Sequence, residues 1–123
     1  MRRQTLFVAA IVTFGAALYH ASALLIPAFA ARAYAPTYPP IRHVAFVLIN
    51  LACALLLLRR PIWFVPLYAL LVVQVLNGHG RVAWDAWRAA KPIYAVDVLV
   101  SIGVLAVLAL LVVDALDARA DAT

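Results

Sequence analysis

The sequence predicts an all-α integral membrane protein: an antiparallel four-transmembrane-helix bundle with a short interfacial helix between spans 3 and 4. Three observations carry this. Of 123 residues, 68% are hydrophobic and 12% charged, against about 45–50% and about 25% in soluble domains. A chain this small cannot hide so much apolar side chain from water, because small folds leave much of their surface exposed. The apolar residues also fall in four runs close to the about 20 residues that a spanning helix needs. Between the runs lie Pro, Arg and Trp, the residues of turns and membrane interfaces. The same composition excludes a soluble enzyme domain, a disordered tail and a coiled coil.

Residues 1–123 read as a single transmembrane domain with spans at about 5–30, 41–58, 61–77 and 92–116. In the first, Met1-Arg2-Arg3 followed by apolar residues and Ala21-Ser22-Ala23 or Ala28-Phe29-Ala30 has the outline of a signal peptide. The run is long for such a segment, contains His20 and continues past the first of these sites, so a retained span is expected. Ala31 to Pro40, with three prolines and two tyrosines, reads as an interfacial loop. Arg59-Arg60-Pro61 leaves almost no linker, so spans 2 and 3 should form a tight hairpin, with Pro61 in a first turn that tolerates it. Pro92 has the same expected role in span 4, while Pro27 and Pro66 are expected to kink their helices.

The segment 81–91 (RVAWDAWRAAK) reads as the interfacial helix. Arg81, Asp85 and Arg88 share one side by helical spacing, and Trp84, Trp87 and Lys91 another. Tryptophan beside Lys and Arg is the pattern of an interface anchor, and a lid over the bundle is the functional alternative.

Ten basic residues against five Asp and no Glu give a net charge of +5. They lie at the ends of apolar runs, which suits lipid headgroups and topology setting, not nucleic acid. With the N-terminus inside, Arg2, Arg3, Arg59, Arg60 and Arg119 face Arg32, Arg42, Arg81, Arg88 and Lys91 across the membrane. That five-against-five tie is broken by the first helix and the Arg pairs, which favour both termini in the cytoplasm. Cys53 is the lone cysteine, so no intrachain disulfide forms, and it reads as a small buried hydrophobe.

The informative residues are the polar ones inside spans, where an unpartnered polar group costs several kcal/mol and an ionisable one is a functional candidate. Span 1 has Thr13 and His20; span 2 has His43, Phe46, Asn50 and Cys53 on one face. Span 3 has Gln74, Asn77 and then His79; span 4 has Tyr94, Asp97 and Ser101. By helix rise, His20 and Gln74 lie roughly 20 Å from the N-terminal side, and Asn50 and Asp97 roughly 8–13 Å from the other. A polar pocket in the half-bilayer away from the termini follows, with the other half apolar. Its expected members are His20, Asn50, Gln74, Asn77, Asp97 and Ser101, with Trp84 and Trp87 as cover or anchor. Asn50 and Gln74 also fit simple interhelical hydrogen bonds, His43 and His79 fit interfacial histidines, and Asp97 fits an ion pair with Arg42 or Arg81.

Other chemistries are thinly represented. No HExxH or CxxC spacing marks a zinc site; a metal would need His20, His79 and Asp97 to converge. Haem would need His20 and His79 to face each other, and their heights differ by about 7 Å. Ser101, His20 and Asp97 formally make a nucleophilic set, but Asp97 and Ser101 are helical neighbours and no Gly-x-Ser-x-Gly elbow exists. No cofactor is expected, with haem as the exception.

In its order of Asn50, Arg60-Pro61, Gln74, His79-Gly80, Trp84, Trp87 and Asp97, the chain resembles small uncharacterised bacterial four-span inner-membrane proteins. It is similar in size and span count to the DoxX-like group, whose first helix is glycine-rich where this one has Gly15 alone. The resemblance covers about residues 41–116 and implies the architecture and a bacterial inner membrane, not a substrate. The expected function is binding of a small amphiphile or lipid in the polar pocket. The alternatives are a membrane enzyme or redox subunit using His20, His79 and Asp97, and an accessory subunit of a homo-oligomer or larger membrane complex, with Gly15, Ala17 and Ala21 as a close-approach surface.

Overall fold

A computed structural model describes residues 2–26, 28 and 39–120, and all of their regular structure is helical. The helices are α1 (Arg2–Leu25), α2 (Pro40–Arg59), α3 (Phe64–Val75), a π-helical turn (Leu76–Gly80), α4 (Arg81–Arg88) and α5 (Ala95–Ala120). Of these, α1, α2 and α5 are long and apolar enough to cross a membrane. The expected kink at Pro27, the loop at 31–38 and the Ala28-Phe29-Ala30 site lie outside the described residues or extend beyond them. The chain divides into two compact units, one from Arg3 to Arg59 and the other from Arg60 onward.

In the first unit, α1 starts three residues before the expected span and ends at Leu25; the rest of that span, to Ala30, lies largely outside the described residues. Its buried residues, Leu6, Ala10, Ala17 and Ala23, are mostly alanines, and α2 buries His43, Cys53, Ala54 and Leu57. Gly15, expected in a close-approach surface for another protein, is exposed, with open space where a Cβ would be.

The second unit departs most from expectation. The chain does not break at Asn77-Gly78-His79-Gly80 before a separate interfacial helix; α3, the π turn and α4 form one continuous helical run from Phe64 to Arg88. Backbone angles at Leu76, Gly80 and Arg81 are all right-handed helical, and the Arg81 N–H reaches back five residues to the Leu76 carbonyl. Two glycines weaken the α-helix here, and a wide turn absorbs the local register without ending the helix. Helix α3 starts at Phe64, so Pro66 falls in the first turn, where its missing N–H is not needed, and Pro61 lies before the helix. The Pro61 carbonyl accepts the Phe64 N–H at 2.9 Å. Pro92 likewise precedes its helix: α5 begins at Ala95 and runs to Ala120.

The Phe64–Arg88 run packs antiparallel to α5. Arg60 meets Asp114 at one end, and His79 meets Asp97 at the other. Helix α4 closes with a Schellman arrangement: Lys91 N–H donates to the Ala86 carbonyl at 2.9 Å and Ala90 N–H to Trp87 at 3.1 Å. The helix expected at 81–91 thus ends at Arg88 rather than Lys91. Ala90 is held at φ 52°, a left-handed conformation that costs a non-glycine residue about 1–2 kcal/mol. Ala90→Gly should therefore raise stability by about 0.5–1 kcal/mol, read as a later midpoint in detergent-solubilised unfolding; an unchanged or earlier midpoint would contradict it.

Candidate functional site

Two polar clusters form, one in each unit. In the first, α1 presents His20 five residues before its end and α2 presents His43 from its first turn. Their Nδ1 atoms lie 3.1 Å apart. One ring must donate and the other accept, because two protonated rings would repel. Phe46, one turn beyond His43, stacks on His20 with ring centres 4.9 Å apart, and Tyr19 meets the same imidazole edge-on. The Arg42 guanidinium lies 5.6 Å from the Phe46 ring centre. His43 is therefore not a solvated interfacial histidine: it is 7% exposed.

Asn50, expected in the shared pocket, donates its amide to the Phe46 carbonyl of its own helix at 2.8 Å. Thr13 likewise donates to Ala9 at 2.8 Å. These back-bonds satisfy the side chains within a single helix, as Ser, Thr and Asn do when no partner is nearer.

In the second unit, His79 Nδ1 lies 2.7 Å from Asp97 Oδ1. The Asp97 side chain is 14% exposed and that of His79 31%. The π turn carries His79 to this contact, continuing the line of buried Phe64, Tyr68 and Val72. Ser101 donates to the Asp97 carbonyl at 2.7 Å, one turn along α5. An aspartate on Nδ1 selects the tautomer with the proton there and leaves Nε2 as an acceptor. That nitrogen takes no hydrogen bond among the described residues.

Beside this pair runs an open groove of about 320 Å³ lined by Gly80, Ala83, Trp84, Trp87, Val98, Ser101 and Ile102. Its lining is almost wholly apolar. Trp84 and Trp87 have ring centres 4.9 Å apart and are both more than half exposed. A Cβ on Gly80 would sit 3.6 Å from Ser101 Oγ, an ordinary contact distance, so the run passes close to α5 along the groove.

Several expectations need correction. Gln74 and Asn77 are exposed and make no hydrogen bond among the described residues; they do not join Asp97 and Ser101. Spacings of three and four residues placed them on the same span, but the face toward α5 is that of Tyr68, Val72 and His79. The partner of Asp97 is His79, while Arg81 lies 3.6 Å from Asp85 on its own helix. His20 and His79, considered together for haem or metal, each take a different partner. Among the described residues, no group of three or more His, Cys, Asp or Glu could hold a metal ion.

The opposite end of α5 is not purely apolar either. One Arg60 nitrogen, Nη1, donates to both carboxylate oxygens of Asp114 at 3.2 Å. The sequence signal for this pair was an aspartate one helix length from Asp97, opposite the Arg59-Arg60 turn. Comparison with protein-family models, curated proteins and solved structures finds no match to this chain.

Proposed function

We propose that the chain is a small four-span membrane protein that binds a small amphiphile or lipid. The apolar part of the ligand lies in the Trp84–Trp87 groove, and its polar head meets His79, Asp97 and Ser101. The observation that carries this reading is the His79–Asp97 hydrogen bond beside an almost wholly apolar groove. A few convergent polar groups in an apolar concavity are the usual form of a ligand site. The fourth crossing is the Phe64–Arg88 run, about 37 Å long at helical rise, which suffices for the hydrocarbon and one interface. Helix α4 then lies at that interface, with Trp84 and Trp87 at headgroup depth. An even number of crossings places both termini on one side, which the Arg pairs make the cytoplasm, and the inner membrane of a bacterium rests on the resemblance alone.

A second reading has one observation in its favour. His79, with Nδ1 held by Asp97, is arranged to accept a proton on Nε2 and pass it on, as a membrane enzyme would require.

Native mass spectrometry of the detergent-purified chain tests the first reading. A retained amphiphile is expected on the parent protein, with less of it on Asp97→Asn and on Trp87→Ala. An empty parent, or a ligand indifferent to both substitutions, would refute it.

A further inference from the structure

The amphiphile site uses only the second unit and leaves the histidine pair of the first without a role. We propose that His20 and His43 form a two-histidine site for an exchangeable divalent transition ion of the copper–zinc class. The argument begins with the 3.1 Å between the two Nδ1 atoms. With metal–nitrogen bonds of about 2.05 Å, that separation corresponds to an N–metal–N angle of about 98°. This lies between the about 90° of a square-planar site and the about 109° of a tetrahedral one. The nitrogens are thus already at chelating distance, on two different helices, and little backbone movement is needed to seat an ion.

The surroundings fix the rings. Phe46 stacks on His20 at an interplanar angle of 29°, and Tyr19 closes its edge at 77°. His43 is buried on α2. Pre-oriented ligands lose less freedom when the ion binds. The proton shared between the two Nδ1 atoms moves to Nε2 of its own ring, so both Nδ1 lone pairs face the metal and the imidazoles stay neutral. Imidazole nitrogens select copper, zinc and nickel over magnesium or calcium, and copper binds most tightly in the divalent series.

The site is incomplete by design of its ligands. No third His, Cys, Asp or Glu joins the pair among the described residues, so the remaining positions go to water or an external donor. Arg42, held over Phe46, places a cation nearby that disfavours a bare dication and favours an anionic co-ligand. Both features point to an ion that comes and goes rather than one that holds the fold.

The chain has three histidines, which makes the test clean. The full chain, purified in detergent and stripped with a chelator, is titrated with Cu²⁺ alone and followed by electron paramagnetic resonance. One ion per chain is expected, with two imidazole nitrogens in its coordination sphere. His20→Ala and His43→Ala should each weaken binding by more than about tenfold, the range that even outer-shell changes reach, and leave one imidazole on any residual copper. His79→Ala should leave affinity and spectrum unchanged. The parent spectrum decides the matter even if a histidine variant fails to fold: fewer than two imidazole nitrogens overturns the site. Binding lost in His79→Ala, or unaltered in both His20→Ala and His43→Ala, overturns it equally.

Discussion

Asp97→Ala is expected to destabilise the folded chain by about 1–3 kcal/mol, because it leaves the Nδ1–H of the 31%-exposed His79 without its acceptor. The bond is 2.7 Å long, and solvent reaching the remaining imidazole compensates only part of its loss. His79→Ala should cost at least as much, since the Asp97 carboxylate it leaves behind is only 14% exposed, and the two losses should not add. A double-mutant cycle, read from unfolding midpoints in mixed detergent, should give a coupling energy of about 0.5–3 kcal/mol. Additive losses would mean that the hydrogen bond contributes nothing. The same variants separate a structural pair from a ligand site. If the pair only braces α5, the double variant regains stability and any bound amphiphile stays. If it receives a headgroup, ligand is lost in all three variants, including the one whose stability recovers. Ligand retained throughout would remove the binding role.

Asp114→Ala is expected to cost about 1.5–3 kcal/mol at the other end of the same helix pair, the range for hydrogen bonds to charged groups. The lower part of that range applies. A single Arg60 nitrogen serves both carboxylate oxygens, where a two-nitrogen fork would be stronger. Both side chains are also about a quarter exposed. The backbone of Arg60 adds a distinctive signature. It sits at φ 52° just after α2 ends, so the ion pair holds a residue in a conformation it would otherwise avoid at about 1–2 kcal/mol. Once Asp114 is gone, that cost and an unpaired guanidinium remain. Arg60→Gly in the Asp114→Ala background should therefore restore about 1 kcal/mol, whereas Arg60→Gly alone should destabilise. Asp114→Ala with stability within about 0.5 kcal/mol of the parent would mark the pair as one of the many surface contacts that contribute nothing measurable.

Much of the local structure was legible in the residues. Apolar length marks the runs that form α1, α2 and α5, and helical spacing puts Arg81 and Asp85 on one face and Trp84 and Trp87 on another, where they meet. Boundaries were less legible around proline. A Pro after a basic residue suits either the first turn of a helix or the turn before it, and Pro61 and Pro92 both took the second place. Asn77-Gly78-His79-Gly80 carries every ordinary mark of a helix end, yet the helix continues through it, because a π turn accommodates the glycines while the flanking residues pack against α5.

The candidate site was legible in its ingredients and not in its pairings. His20, His79, Asp97 and Ser101 stood out because ionisable and polar groups are costly in an apolar run, and each is engaged in a polar or aromatic contact. Composition and periodicity by themselves determined an all-helical chain whose outer faces are apolar, since these depend on each residue's own transfer energy and on a repeat of 3.6 residues. Tertiary structure alone decided that His20 meets His43, that His79 meets Asp97, that Arg60 meets Asp114, and that Gln74 and Asn77 turn away. Such choices depend on where each helix stops and which face its neighbour covers. A shift of a few residues at Leu25, or one extra residue in the turn at Leu76–Gly80, redirects a side chain by a large fraction of a turn, and no local preference in the sequence encodes that sum.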